Sequence, residues 1–136
     1  MTEEVYQLLY APRKIDRDIS RINDRINSLR YSLLASGIRY DKDSVQTSPT
    51  DRMSEVMAEI DELERKRDSM VCTRIDAVEK IEHMIDKLDD DEQKTVLSKQ
   101  YIAGEPIENL TVTMYCSRRK LYMIRRKALK NLEGIM

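Results

Sequence analysis

Six aliphatic residues, Ile15, Ile19, Ile22, Ile26, Leu29 and Leu33, follow one another in alternating steps of four and three. That spacing returns each of them to the same side of an α-helix and forms the seam of a coiled coil. Arg, Asp and Asn fill most of the intervening positions, as a solvated helix face requires. A chain with this pattern is committed to pack a long helix against another long helix. The composition agrees: there are three Gly, three Pro, no Trp and no Phe, so a sheet would lack both its turns and its preferred aromatic residues. The expected fold class is all-α.

Thr2 is the expected N-cap of the first helix, with Glu3 and Glu4 in its first turn. Pro12 falls about three turns in, where it either kinks this helix or separates a short leading helix from the main one. The pattern stops at Ala35-Ser36-Gly37, and residues 36 to 48 are expected to form a loop. Ser48-Pro49-Thr50-Asp51 starts a second helix, with Ser48 as cap, Pro49 in the first position and Asp51 completing a capping box. Met53, Val56, Ile60, Leu63, Met70, Ile75, Val78, Ile85 and Leu88 continue a helical stripe, which Arg67 and Arg74 interrupt, so the seam is expected to shift there. Two such helices joined by a loop fold back as an antiparallel hairpin. One stripe per helix makes a thin core, so the hairpin is expected to self-associate into a homo-oligomer or to pack against the C-terminal module.

Asp89-Asp90-Asp91-Glu92 divides the chain into two expected domains, a helical hairpin over residues 1–88 and a compact module over residues 89–136. The cluster is expected to cap the next helix, since it lacks the alternating ligands and glycine of a calcium loop. Beyond it, Val96, Leu97 and Tyr101 mark a helix closed by Gly104. Pro106, Ile107 and Leu110 mark a second, and Met114-Tyr115-Cys116 a tight turn. Ser117 then caps a third helix with seven basic and no acidic side chains up to Leu132, in a chain whose net charge is −1. Leu121, Ile124, Ala128, Leu129 and Leu132 are expected to face inward. Three short helices with a tight turn between the last two match a helix-turn-helix, and a cationic outer face on its last helix fits duplex DNA. The expected contact residues are Ser117, Arg118, Arg119, Lys120, Tyr122, Met123, Arg125 and Arg126. Arg118, Arg119 and Tyr122 are placed at base edges, while Lys120, Arg125, Lys127 and Lys130 reach phosphates or remain solvated.

Leu88-Asp89-x-x-Glu92-x-x-x-Val96-Leu97-x-x-x-Tyr101-x-x-Gly104-x-x-Ile107-x-x-Leu110, with Leu121 and Lys127-Ala128-Leu129-x-x-Leu132, resembles region 4 of the sigma-70 family, which reads the −35 promoter element. The hairpin with Asp43-x-Val45-Gln46-Thr47-Ser48-Pro49-x-Asp51-Arg52-Met53 is similar to small phage and prophage proteins of Gram-positive bacteria, broadly like late transcriptional regulators of the ArpU and RinA type. The resemblance implies a sequence-specific regulator of transcription in the cytoplasm of a bacterial host, with double-stranded DNA as partner and RNA polymerase as a second one through the hairpin. This sequence departs from the sigma pattern at Thr111, where a small residue is usual, and at Tyr115, where Gly is common. Nothing resembles sigma region 2, so the chain is not expected to open a promoter alone.

A DNA-packaging adaptor of the small-terminase kind and a helical interaction protein that binds no DNA are the alternatives. No enzyme, cofactor or metal is expected: His83 is the one histidine, Cys72 and Cys116 lie far apart as free thiols, and no phosphate-binding glycine loop is present. No apolar run is long enough to cross a bilayer, so no membrane partner is expected.

Overall fold

The computed structural model describes residues 1–39 and 49–136, and among these all regular structure is helical. Five α-helices follow in order: α1 (Glu3–Arg39), α2 (Pro49–Asp86), α3 (Asp91–Leu97), α4 (Ile107–Thr113) and α5 (Arg118–Ile135). A π-helical turn, Ser98–Ile102, extends α3. The first two form the long hairpin-like pair expected of the sequence. The Ser48 cap and most of the expected connecting loop lie outside the described residues.

Thr2 begins α1 as expected, its hydroxyl accepting from the Val5 amide at 3.4 Å. Pro12 neither breaks α1 nor separates a leading helix, since the helix runs unbroken from Glu3 to Arg39 with Pro12 buried within it. The reason is positional. Val5, Leu8, Pro12 and Ile15 repeat the four-three steps upstream of Ile15, so the ring fills a place in the seam and its burial offsets the lost backbone bond.

The chain gathers into two compact units, Ile15–Thr73 and Met1–Lys14 with Arg74–Met136. The first is antiparallel α1 against α2. Its core holds Ile22, Ile26, Leu29 and Ile60, with Leu33, Val56, Leu63 and Met70 packed around them. Arg25 meets Glu59 at 3.2 Å and Arg30 meets Glu64 at 2.6 Å along the flanks. Both pairs are solvated enough to contribute little beyond register. The expected shift of the second seam does not occur. Ile75 is half exposed, whereas Arg67 and Arg74 are partly buried and keep a seven-residue step with Ile60, Ile81 and Leu88. An arginine can hold such a place because its aliphatic stem covers the seam while its head finds a polar partner. For Arg67 that partner is the Asn23 side-chain oxygen, 3.2 Å away. Met53, also expected in the stripe, is exposed.

In the second unit the ends of α1 and α2 join the C-terminal helices. Val5, Leu9, Ile81, Ile85 and Leu88 pack with Leu97, Tyr101, Ala128, Leu129 and Leu132 in one core. A smaller core holds α3, α4 and α5 together through Val96, Ile107, Leu110, Leu121 and Ile124. The acidic cluster caps α3 as expected: the Asp90 carboxylate accepts from the Glu92 amide at 2.8 Å and the Gln93 amide at 3.4 Å. Gly104, in a left-handed conformation (φ 73°), ends the π-helical turn.

Candidate nucleic-acid interface

α5 is positioned from both ends. At its start the Ser117 hydroxyl accepts from the Lys120 amide at 3.2 Å, so the expected cap is present. Along its length Leu121, Ile124, Ala128, Leu129 and Leu132 are buried, the inward set that the spacing predicts. A polar tether adds to these, since the Asn131 side-chain amide donates to the Gln93 side-chain oxygen at 2.9 Å. Gln93 is itself buried on α3, which makes this bond a fixed link between the two helices.

With that side closed, Arg119, Lys120, Tyr122, Met123, Arg126, Lys127 and Lys130 are all exposed. None of the five cations among them forms an ion pair with a carboxylate of the described residues. Arg118 is the partial exception. Its guanidinium lies 5.7 Å from the centre of the Tyr122 ring and 3.7 Å from the Glu108 carboxylate of α4. Tyr122 first and Glu108 second hold its pKa above the ordinary arginine value, so the charge is permanent. Both partners are exposed, which leaves Arg118 free to exchange Glu108 for another anion.

Arg125 does not belong to this face. It is partly buried, and its Nε and one terminal nitrogen donate to the Tyr101 hydroxyl at 3.3 and 2.9 Å. The spacing explains why: Arg125 stands four residues after Leu121, three before Ala128 and seven before Leu132, inside the apolar arc rather than opposite it. The Tyr101 ring is almost fully buried and meets Tyr10 edge-on, centroids 5.7 Å apart. Burial raises the Tyr101 pKa above its ordinary value, and the hydrogen bond from Arg125 offsets part of that rise. Seven of the eight expected contact residues are thus brought to one open surface, and the eighth is a strut of the core.

Tyr115 lies just before this surface, within the tight turn that the sequence predicts at Met114-Tyr115-Cys116. It sits in the turn between α4 and α5 with a left-handed backbone (φ 52°) and is 94% exposed. The signal available was its place where helix-turn-helix turns favour glycine.

Residues 33–133 match a family model described as protein of unknown function (DUF1492). The chain belongs to this family. The match runs from late α1 to near the end of α5, so the cationic face lies within the DUF1492 region. No curated protein and no solved structure matches the chain. Among the described residues of this DUF1492 protein, no group of His, Cys, Asp and Glu could hold a metal ion, and no helix is long and apolar enough to cross a membrane. Both cysteines are free thiols.

Proposed function

We propose that this DUF1492 protein is a sequence-specific binder of double-stranded DNA, acting as a transcriptional regulator of the phage type in a bacterial cytoplasm. The observation that carries the proposal is the division of α5. One side is locked into two apolar cores, while the other offers five cations that no carboxylate of the described residues neutralises. Such a surface costs electrostatic repulsion in the free protein and recovers it against a polyanion, by releasing the counterions condensed on the phosphates. The short α4, the tight turn and the Ser117-capped α5 have the order of a helix-turn-helix, in which the start of the last helix enters the major groove. Arg118, Arg119 and Tyr122 then face base edges, and Lys120, Arg126, Lys127 and Lys130 serve the backbone.

The test is to select bound fragments of the source genome with the full chain and to measure their affinities by shift assay. Promoter fragments support the regulator, a packaging site supports the adaptor, and an empty pool removes DNA binding. Arg118→Ala and Arg119→Ala are expected to lose sequence discrimination while their circular dichroism and melting temperature stay those of the parent. Unchanged affinity in both would take these residues out of the interface.

A further inference from the structure

α2 carries a second apolar face, apart from its seam. Met53 and Met57 form one pair of exposed side chains and Val71 and Ile75 another, each 40–53% exposed. At about 100° per residue all four fall within about 40° of one another on one unbroken helix. Their spacing has a centre. Met57 and Val71 each stand seven residues from Glu64, and Met53 and Ile75 each stand eleven. From either end the face therefore presents the same order: an apolar pair, Glu64, an apolar pair. α1 widens one end of it. Leu34 is 70% exposed and lies four residues beyond Arg30, on the side of α1 that the Arg30–Glu64 ion pair joins to this face.

Three carboxylates separate the apolar pairs, and each has an arginine of its own chain: Asp61 with Arg65 at 3.1 Å, Glu64 with Arg30 at 2.6 Å and Asp68 with Arg67 at 3.6 Å. These charges cancel, so two such faces approach without net repulsion. Single exposed aliphatics are ordinary on a protein surface. Four of them in two-fold order match one partner better than any other, a second copy turned end for end. We infer that the protein forms an antiparallel homodimer through α2, with its two-fold axis beside Glu64. Met57 then packs on Val71 of the second copy and Met53 on Ile75, so each apolar residue meets another. The contact uses no residue of the proposed DNA interface and stands or falls without it. Its length from Met53 to Ile75 is about 33 Å, short for a stable interface, so half dissociation is expected near about 10 μM.

Sedimentation equilibrium of the full chain without DNA, from about 1 to about 200 μM, is the test. The mass should climb from 16.0 kDa toward twice that value. Met57→Lys and Val71→Glu should each weaken association about tenfold or more, by setting a charge against an aliphatic partner. At the dilute end both should keep the parent's melting temperature, since each position is exposed in the single chain. Carried together on one chain, they should restore association to within about threefold of the parent, because the antiparallel register sets each new charge against its opposite on the second copy. Within one chain the two positions are about four helical turns apart and do not meet. A chain that remains at 16.0 kDa throughout overturns the inference and leaves the face to another protein. So does a double variant that associates no better than the single ones, which would join the copies through a different register or face. A Met57→Lys protein that melts lower when dilute would show the face to be covered by its own chain, and overturns the inference as well.

Discussion

Arg125 and Arg126 are neighbours of the same type with opposite surroundings, so truncating each in turn separates what α5 does for the fold from what it offers to the proposed DNA partner. Arg125→Ala removes two donors, at 2.9 and 3.3 Å, from a tyrosine that is 2% exposed. Water cannot readily replace them, and an unsatisfied buried hydroxyl costs about 1–3 kcal/mol. Because Arg125 is only partly buried, its other donors are already hydrated and the lower half of that range applies, about 1–2 kcal/mol. For a chain of this length each kcal/mol moves the melting temperature by about 3–5 °C, so Arg125→Ala should melt about 3–10 °C lower. Arg126 is exposed and unpaired, so Arg126→Ala should stay within about 0.5 kcal/mol of the parent.

The DNA affinities should run the other way. Arg126→Ala loses about tenfold and the salt slope of one phosphate contact, while Arg125→Ala binds like the parent at temperatures where it is folded. Thermal melts, shift titrations at several salt concentrations and the Tyr101→Phe/Arg125→Ala double variant together complete the measurement. The double variant should recover most of the stability lost by Arg125→Ala alone, giving a coupling of about 1 kcal/mol. A coupling near zero, or an Arg126→Ala protein less stable than Arg125→Ala, would refute the assignment of the two faces.

Alkaline titration follows from the same pair. Burial raises the Tyr101 pKa, so its contribution to stability is complete below the unfolded value of about 10 and is lost as pH climbs through the higher folded value. Equilibrium unfolding should therefore weaken more steeply above pH 10 in the parent than in Tyr101→Phe, and equal slopes would count against it. Asp90→Ala should cost about 1 kcal/mol through the lost cap of α3 and leave the urea m-value unchanged; a shift of less than half that would show the cap to be dispensable. If the proposed duplex interface holds, half-exposed Met123 is expected to meet the methyl group of a thymine, so replacing thymine by uracil in a selected site should weaken parental binding about three- to fivefold and leave Met123→Ala indifferent.

The four-three spacing of Ile15 to Leu33 was enough for the all-α class and the hairpin, because a seam that regular has one use. The ends of that seam were harder to see. Val5 and Leu9 lie upstream of Pro12, where the sequence leaves a kink or a separate leading helix open, and Ile81 lies beyond Arg74, where a shift of the seam is expected. All three are fully buried. In each case the residue that interrupted the hydrophobic series kept its register: proline through its ring, arginine through its stem. Arg125 was misplaced for the converse reason. A run of charges draws attention to composition, whereas its distance from Leu121 and Leu132 already put it on the inner arc. The π-helical turn at Ser98–Ile102 has no sequence signal that separates it from α-helix, since it depends on the Ala103 amide reaching the Ser98 carbonyl.

The packing of the hairpin ends bears on whether residues 89–136 can act alone. Their own core, Val96, Ile107, Leu110, Leu121 and Ile124, fixes the crossing of α4 and α5. The inner side of the C-terminal half of α5, however, rests on Val5, Leu9, Ile81, Ile85 and Leu88. Cutting the chain at residue 89 removes these five side chains and exposes Ala128, Leu129, Leu132 and Tyr101 to water. At roughly 1.5–3 kcal/mol for each large side chain, the loss is on the order of 5–15 kcal/mol, as large as the whole stability of a typical domain. An 89–136 peptide should therefore show weak helical circular dichroism and no cooperative melt, and should bind the selected duplex far more weakly than the full chain. Ile81→Ala in the full chain, which opens the same core without removing a cation, should lower the melting temperature by about 6–25 °C and spare the salt slope of the fraction that remains folded. A peptide that melts cooperatively and binds with parental affinity would show that α5 needs nothing from the hairpin, and the ends of α1 and α2 would then require a different reason to be buried against it.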